Sequence, residues 1–155
     1  MNIVLVEPEI PPNTGNVARL CAATKTRLHL IEPLGFTLDD KQLKRAGMDY
    51  WQQVEWHRWP NWAAFWGQLP PEARVWFVES NGPKLYSEVQ FEREDYLVFG
   101  RETAGLPRQL LERNRERWLR LPMFNRESRS LNLSNCAAVV LFEALRQQGF
   151  GGELR

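Results

Sequence analysis

The first candidate functional residues lie at positions 11–19, at the start of a predicted helix. Asn13 and Asn16 offer amide groups, and Gly15 between them allows a ligand or another chain segment to approach closely. Arg19 follows Asn16 by about one helical turn, so both side chains face the same site. Because a helix N-terminus favours an anion, the segment predicts a site for a group such as a phosphate. A capped helix with a surface arginine is the alternative interpretation.

A second group follows the apolar run at residues 96–99. Gly100 and Gly105 flank Glu102 and Thr103, a pattern typical of a ligand-binding loop with exposed backbone groups beside a carboxylate. The dinucleotide-binding fingerprint G-x-G-x-x-G does not follow the first predicted strand, which argues against a dehydrogenase. An ordinary turn between a strand and a helix is the alternative here.

A third group occupies the polar stretch 127–135, which is rich in serine and asparagine. Side chains such as Ser130 and Asn132 bind the backbone of a folded loop as readily as they bind a ligand. The stretch is longer than one helix cap requires and lies between apolar segments, so we favour a functional role. The alternative is an elaborate N-cap built on Asn132 or Ser134.

These three groups must be positioned by secondary-structure elements, and the chain alternates between predicted strands and predicted helices. The predicted strands cover residues 2–6, 28–31, 54–56, 75–78, 96–99 and 119–121. The predicted helices run from Asn13 or Thr14 to 24, for a short stretch from Asp39, and over 62–69, 107–114 and 134–149. This alternation indicates a single α/β domain, residues 1–155, with a mostly parallel sheet and helices on both faces. Ligands bind beyond the carboxyl ends of the strands in such sheets, so the loops after Val6, Phe99 and Leu121 should meet there.

Composition limits the class of protein. Hydrophobic residues make up 43% of the chain, no apolar run approaches the ~20 residues that span a bilayer, and the first residues lack signal-peptide features. We therefore expect a cytoplasmic protein with no membrane partner. Cys21 and Cys136 are expected in the core. Neither they nor His29 and His57 have metal-ligand spacing, so no metal site is expected.

Signals for nucleic-acid binding are weak in the composition alone. The net charge is only +1, but 16 of the 20 basic residues are arginine, whose planar fork suits phosphate. The base composition of the genome would explain that bias equally. Five of the seven tryptophans fall within residues 51–66 and could stack on bases. However, Trp62 and Trp66 are four apart on a predicted helix, which favours core packing.

Together the three groups resemble the three signature motifs of the SpoU branch of the SPOUT methyltransferases, in order and in spacing. The motifs N-x-G-N-x-x-R, F-G-x-E-x-x-G-L and I-P-M with S-L-N-L-S-N match, respectively, residues 13–19, 99–106, and 121–123 with 130–135. Segments 7–12 and 45–50 are similar to the minimal family members that methylate the wobble nucleotide of certain leucine tRNAs. The resemblance covers nearly the whole chain.

The resemblance implies a fold, a cofactor and partners. The fold would include a deep trefoil knot at the C-terminal end of the sheet, an exception to general topology rules, and the protein would be a homodimer. S-adenosylmethionine would donate a methyl group to the ribose 2′-hydroxyl of a tRNA wobble nucleotide, a cytidine or a modified uridine, in the anticodon stem-loop. The alternatives are another RNA target, such as ribosomal RNA, and a non-catalytic RNA-binding relative.

The resemblance also implies roles for individual residues. The catalytic group would comprise Arg19, Asn16, Glu102 and Asn132. The cofactor would contact Val78, Gly100, Leu121 and Ser130, with Met123 and Leu131 as neighbours in the same loops. RNA would be bound by Arg19, Lys41, Lys44, Arg45, Arg126 and Arg129, although the three cations at 41–45 would also suit the solvated face of a helix.

Three positions depart from the family pattern. Arg101 replaces a small residue or proline, and a long cation there would either reach RNA or obstruct it. Leu121 replaces isoleucine, which hardly changes an apolar wall, and Phe142 replaces a tyrosine common in close relatives.

Arginine keeps its proton up to a pKa above ~12, so we interpret Arg19 as a fixed cation that stabilises a developing alkoxide, and not as a literal base.

Overall fold

The strands of the protein form one parallel sheet. The computed structural model describes residues 1–39, 41 and 50–154, and within these ranges there are seven strands. They are β1 (Asn2–Val6), β2 (Arg27–Ile31), β3 (Trp56–Trp59), β4 (Val75–Val78), β5 (Lys84–Leu85), β6 (Tyr96–Phe99) and β7 (Trp118–Arg120). Their order across the sheet is β3-β2-β1-β6-β4-β7-β5, and each pairing is parallel. The predicted α/β class with a parallel sheet is confirmed.

Four α-helices connect the strands in the same part of the chain. They are α1 (Pro11–Thr24), α2 (Trp62–Gly67), α3 (Arg108–Arg113) and α4 (Leu133–Gln147). Short 3-10 turns occupy Trp51–Gln53, Tyr86–Glu88 and Arg115–Arg117. The helix predicted from Asp39 falls largely outside the described residues.

Two apolar layers lie on opposite faces of the sheet, because successive side chains of a strand point to opposite sides. Ile3 and Leu5 belong to the layer that packs against α1 and α4. Val4 and Val6 belong to the other layer, which packs against α2 and α3. Every residue of β1 is buried, as expected for a strand covered on both faces. The predicted placement of helices on both faces is therefore confirmed.

Several predicted boundaries were wrong, each for a local reason. Helix α1 begins at Pro11 with Ile10 as its N-cap, not at Asn13 or Thr14, because a proline in the first turn gives up an N–H that would have no partner in the helix. Helix α4 is capped by Asn132, whose side chain accepts a hydrogen bond from the Ser134 N–H at 2.9 Å, and not by Ser134 itself.

Strand positions also differ at the edges of the sheet. The third strand spans Trp56–Trp59 and not 54–56, because Val54 is buried at the end of a 3-10 turn that precedes the strand. Strand β5, only two residues long, was missed because it is too short to show a period. The seventh strand begins one residue earlier than predicted.

The expected core residues are only partly confirmed. Cys21 is fully buried, but Cys136 is half-buried. Helix α2 buries Phe65 in the core, whereas Trp62 packs at its margin and Trp66 is 43% exposed. The short helix α2 directs Phe65 at the sheet, so the tryptophans on either side of it remain at the boundary with solvent.

Within the described ranges, the helices are too short or too polar to cross a lipid bilayer.

Candidate active site

A cavity of about 730 Å³ opens at the carboxyl edge of the sheet, where the chain leaves β4, β6 and β7. This is where ligands bind in parallel α/β sheets, and the volume lies in the range of small-molecule sites. The six residues predicted to contact a cofactor all line it, namely Val78, Gly100, Leu121, Met123, Ser130 and Leu131. The structure also brings Glu102, Asn132 and Arg129 to the same walls.

The loop after β6 makes one wall of the cavity and has no room for side chains at its glycines. A Cβ on Gly100 would lie 2.2 Å from the carbonyl carbon of Gly105. Gly105 has φ +64°, and a Cβ there would lie 2.1 Å from a carboxylate oxygen of Glu79. The backbones of Arg101 and Gly105 bond to each other, with N–O distances of 3.3 and 2.9 Å. Glycine is therefore required at Gly100 by the close approach of backbone and at Gly105 by the backbone conformation.

The carboxylate of Glu102 lies at the N-terminus of α1. It accepts hydrogen bonds from the backbone N–H groups of Glu9 at 2.8 Å and Ile10 at 3.0 Å, and from Nδ2 of Asn13 at 3.3 Å. A negative charge is favoured at a helix N-terminus, and Pro11 and Pro12 contribute no N–H groups of their own. The anion predicted for this helix end is therefore supplied by the protein itself.

Asn13 joins the three sequence motifs. Its Nδ2 donates to Glu102, and its Oδ1 accepts from Nδ2 of Asn132 at 2.9 Å. Asn132 in turn accepts from the Ser134 backbone N–H at the start of α4. Asn13 is 7% exposed, so these bonds form largely out of water. One hydrogen-bonded chain thus runs from the loop after β6, through α1, to α4.

Asn16 and Arg19 lie on an exposed side of α1 and are not among the residues that line the cavity. The Arg19 guanidinium carbon lies 5.1 Å from the centre of the Tyr50 ring, a cation–π distance. Tyr50 therefore restricts the side chain of Arg19, a contact that was not predicted from the sequence.

The predicted RNA-binding residues are placed only in part. Arg126 and Arg129 are exposed on the loop after β7, and Lys41 is exposed as well. Lys44 and Arg45 lie outside the described residues. Arg101 forms an ion pair with Glu7, so this unusual cation is held by the chain itself.

Two residues that organise the site, Glu79 and Glu9, were not predicted from the sequence. Glu79 follows β4, lines the cavity, and accepts hydrogen bonds from the backbone N–H groups of Leu106 at 2.9 Å and Ser80 at 2.8 Å. Glu9 binds Thr103 through its carboxylate. The rule that directed attention to loops after buried strands would have found Glu79 if it had been applied after Val78.

Cys136 lines the cavity but is not a nucleophile. Burial, and next the nearby charge of Glu79, raise the pKa of its thiol. The thiolate is the nucleophilic form, so a raised pKa keeps the group unreactive at neutral pH.

The residues around the cavity suit an organic ligand that has both apolar and polar parts. Apolar side chains such as Val78, Phe99 and Leu121 lie beside polar groups such as Ser130 and Asn132, a mixture typical of small-molecule sites. Within the described part of the chain, no three His, Cys, Asp or Glu side chains are arranged to hold a metal ion.

Comparison with known proteins gives consistent results. Residues 1–142 match the SpoU rRNA methylase family. A tRNA (cytidine(34)-2′-O)-methyltransferase from Saccharophagus degradans is 57% identical over 154 residues, which are 97% of each chain. A structure solved for the 2-OH methylation of C/U34 on tRNA is 45% identical, with a TM-score of 0.90 over 96% of both chains. An AdoMet-bound rRNA methyltransferase from Sinorhizobium meliloti is 26% identical, with a TM-score of 0.81 over 94% of this chain and 55% of that one.

Proposed function

The chain belongs to the SpoU rRNA methylase family and is a methyltransferase of the tRNA (cytidine(34)-2′-O) kind, and on that premise we propose that it uses S-adenosylmethionine to methylate the wobble ribose of leucine tRNA. The observation that carries the proposal is the cavity at the carboxyl edge of the sheet, around which the six predicted cofactor residues converge. The S. meliloti relative, which binds AdoMet, supports the choice of cofactor.

When bound, S-adenosylmethionine would supply a methyl group to the ribose oxygen, and its sulfur would leave as a thioether. Val78, Gly100, Leu121, Met123, Ser130 and Leu131 would hold it in the cavity. Glu102 and Asn132 act by joining the cavity loops to α1, since their polar atoms are already bonded to the chain.

Arg19 and Asn16 act on the RNA side. Arg19 binds the phosphate beside the wobble ribose and stabilises the negative charge that develops as the hydroxyl loses its proton. The proton passes to a phosphate oxygen or to water. Further phosphate contacts come from three exposed cations, Lys41, Arg126 and Arg129. The proposal also includes Lys44 and Arg45, which rest on the sequence alone.

The proposal includes a homodimer. Helix α4 exposes Val139 at 38% and Phe142 at 49%, three positions apart on one helix face, and a partner subunit would cover them. Sedimentation of the protein as a monomer at micromolar concentration would contradict this. We also propose that residues 1–155 form a single domain and that the protein is located in the cytoplasm, where tRNA is found.

The proposal also includes the C-terminal knot. Strand β7 lies between β4 and β5, which belong to one earlier segment of the chain. After β7, Gln147 of α4 binds that same segment, donating to the carbonyl of Val89 at 3.0 Å and accepting from the N–H of Phe91 at 2.9 Å. Unfolding by force from both termini should leave a chain shorter than its full contour length, whereas a full-length extension would exclude a knot.

The test is transfer of tritium from labelled S-adenosylmethionine to total tRNA from cells that lack the enzyme, followed by nucleoside and sequence mapping. Label on the 2′-oxygen of nucleotide 34 of leucine tRNA is the expected result. If tRNA stays unlabelled while ribosomal RNA offered in a parallel reaction is labelled, the substrate is a different one. Binding of the cofactor without any transfer to RNA would indicate a non-catalytic relative, and no binding at all would overturn the proposal.

A further inference from the structure

We propose that Glu9 is a positioning residue for methyl transfer, because its carboxylate fastens the cavity loop to the chain that leads into α1. The inference rests on the proposed function and deepens it. It concerns four residues, Glu9, Ile10, Glu102 and Thr103, which we call the clasp.

The clasp is reciprocal. The Glu9 carboxylate accepts hydrogen bonds from the Thr103 backbone N–H at 3.0 Å and from the Thr103 hydroxyl at 2.8 and 2.9 Å. In the opposite direction, Glu102 accepts from the backbone N–H groups of Glu9 and Ile10 at 2.8 and 3.0 Å. Each segment thus supplies one carboxylate and two donors to the other. Hydrogen bonds to an ionised acceptor are stronger than neutral ones, so the pair of segments is tightly joined.

The backbone on the Glu9 side of the clasp is restrained by neighbouring loops. The Gly35 N–H donates to the carbonyl of Pro8 at 2.9 Å. A Cβ on Gly35 would lie 2.7 Å from the Cα of Glu9, so the loop after β2 presses directly on the backbone behind Glu9. The ion pair of Arg101 with Glu7 ties the same two segments together beside the clasp. Glu9 is therefore held between the loop after β2 and the loop after β6.

The two joined segments carry different parts of the reaction. The loop after β6 carries Gly100 and Thr103, which line the cavity, whereas Glu9 does not line it. The other segment continues directly into α1, which carries Asn16 and Arg19. The clasp therefore sets the distance between the methyl donor and the cation that activates the hydroxyl. In-line displacement is sensitive to such placement, and a misplacement of about 1 Å costs about 100-fold in rate.

The experiment compares Glu9→Ala, Thr103→Val and the double variant, with Thr103→Ser as the conservative replacement. Glu112→Ala is the matched control, because Glu112 is an exposed carboxylate paired with Arg108 on α3, away from the cavity. Single-turnover methylation of tRNA, affinity for S-adenosylmethionine by calorimetry, and hydrogen exchange of the Thr103 amide are measured for each.

We expect Glu9→Ala and Thr103→Val each to lower the single-turnover rate about 10- to 100-fold while cofactor affinity stays near the wild-type value. The double variant should be no slower than the slower single variant, because both remove the same interaction. The Thr103 amide should exchange faster in Glu9→Ala, and Thr103→Ser should restore most of the rate.

Two results would overturn the inference. One is a normal methylation rate in Glu9→Ala. The other is a loss of rate matched by an equal loss of cofactor affinity, which would make Glu9 a structural support of the cavity. If the wild-type protein itself does not methylate tRNA, the proposed function fails instead. In that case the clasp is tested by hydrogen exchange alone, and an unchanged exchange rate of the Thr103 amide in Glu9→Ala would contradict it.

Discussion

At the scale of single residues, the acidic side chains of this site are engaged by the chain and the arginine is left for the substrate. Glu102 accepts three hydrogen bonds and Glu79 accepts from two backbone N–H groups, so both carboxylates are bound to the chain. Arg19 instead lies exposed on α1 against the Tyr50 ring. Under the proposed function, the carboxylates hold the loops, and the cation meets the phosphate and the developing alkoxide.

Replacement of Arg19 by lysine should lower the single-turnover methylation rate about 100-fold, because the charge is kept but the planar, two-donor fork is lost. Rapid-quench measurement of methyl transfer to tRNA under saturating conditions would detect the change. Arg108→Lys, at an exposed position of α3, serves as the control and should retain the wild-type rate. If Arg19→Lys retains it too, the fork has no role.

At the scale of elements, the edge of the sheet formed by β2 and β3 contains a buried histidine whose protonation state is dictated by its neighbours. The indole N–H of Trp59 can only donate, and it contacts Nδ1 of His29 at 3.2 Å. Nε2 of His29 must therefore carry the hydrogen and donate to Oδ1 of Asn2 at 3.3 Å. A second proton would face the donor of Trp59. Burial, and next the neighbouring His57, lower the pKa of His29 to about 4.

This histidine should make the folded state less stable in acid. Between about pH 6.5 and pH 4 the unfolded chain binds a proton at this position that the folded protein does not, so stability rises with pH across that window and is complete above it. The change in unfolding free energy is about 3 kcal/mol. Urea unfolding of wild type and His29→Gln at several pH values measures it.

The difference in unfolding free energy between wild type and His29→Gln separates the contribution of His29 from that of the carboxyl groups that titrate in the same pH range. His29→Gln should flatten that part of the pH dependence, since glutamine can accept from Trp59 and donate to Asn2 without titrating. His57→Gln, at an exposed neighbouring position, should keep most of the slope. Equal slopes in wild type and His29→Gln would show that His29 is not buried as a neutral group.

At the scale of the whole molecule, the net charge of +1 does not show where the exposed cations lie. Arg126 and Arg129 are exposed on the loop after β7, beside the cavity. RNA binding should therefore weaken steeply as salt is added, because each phosphate contact releases condensed counterions.

The Arg126→Ala, Arg129→Ala double variant should reduce the slope of log affinity against log salt by about 1.4, since each single-stranded phosphate contact contributes roughly 0.7. Fluorescence anisotropy with a labelled anticodon stem-loop over a range of salt concentrations measures the slope. The double variant Arg108→Ala, Arg113→Ala removes the same charge from α3 and should leave the slope unchanged. Salt-independent binding by the wild-type protein would contradict the proposed phosphate contacts.

Much of this architecture is encoded locally in the sequence. Runs such as Ile3 to Val6 and Val75 to Val78 must be buried on both sides, and their alternation with helical segments indicates the parallel sheet. Such patterns depend on neighbours in the chain, so they can be read without a structure. The motif residues at 13–19, 99–106 and 121–135 were found in the same way, since they interrupt the apolar pattern with polar groups and glycine.

The contacts that make a site of these motifs depended on tertiary structure. Strands β1 and β6 are adjacent, with Leu5 opposite Phe99, although more than half of the chain separates them. That adjacency brings Glu9 to Thr103 and Glu102 to the start of α1. No local pattern specifies which strands are neighbours, because the order is decided by packing of the whole sheet between its helices. The sequence by itself determined which residues could act, and the strand order determined which of them meet.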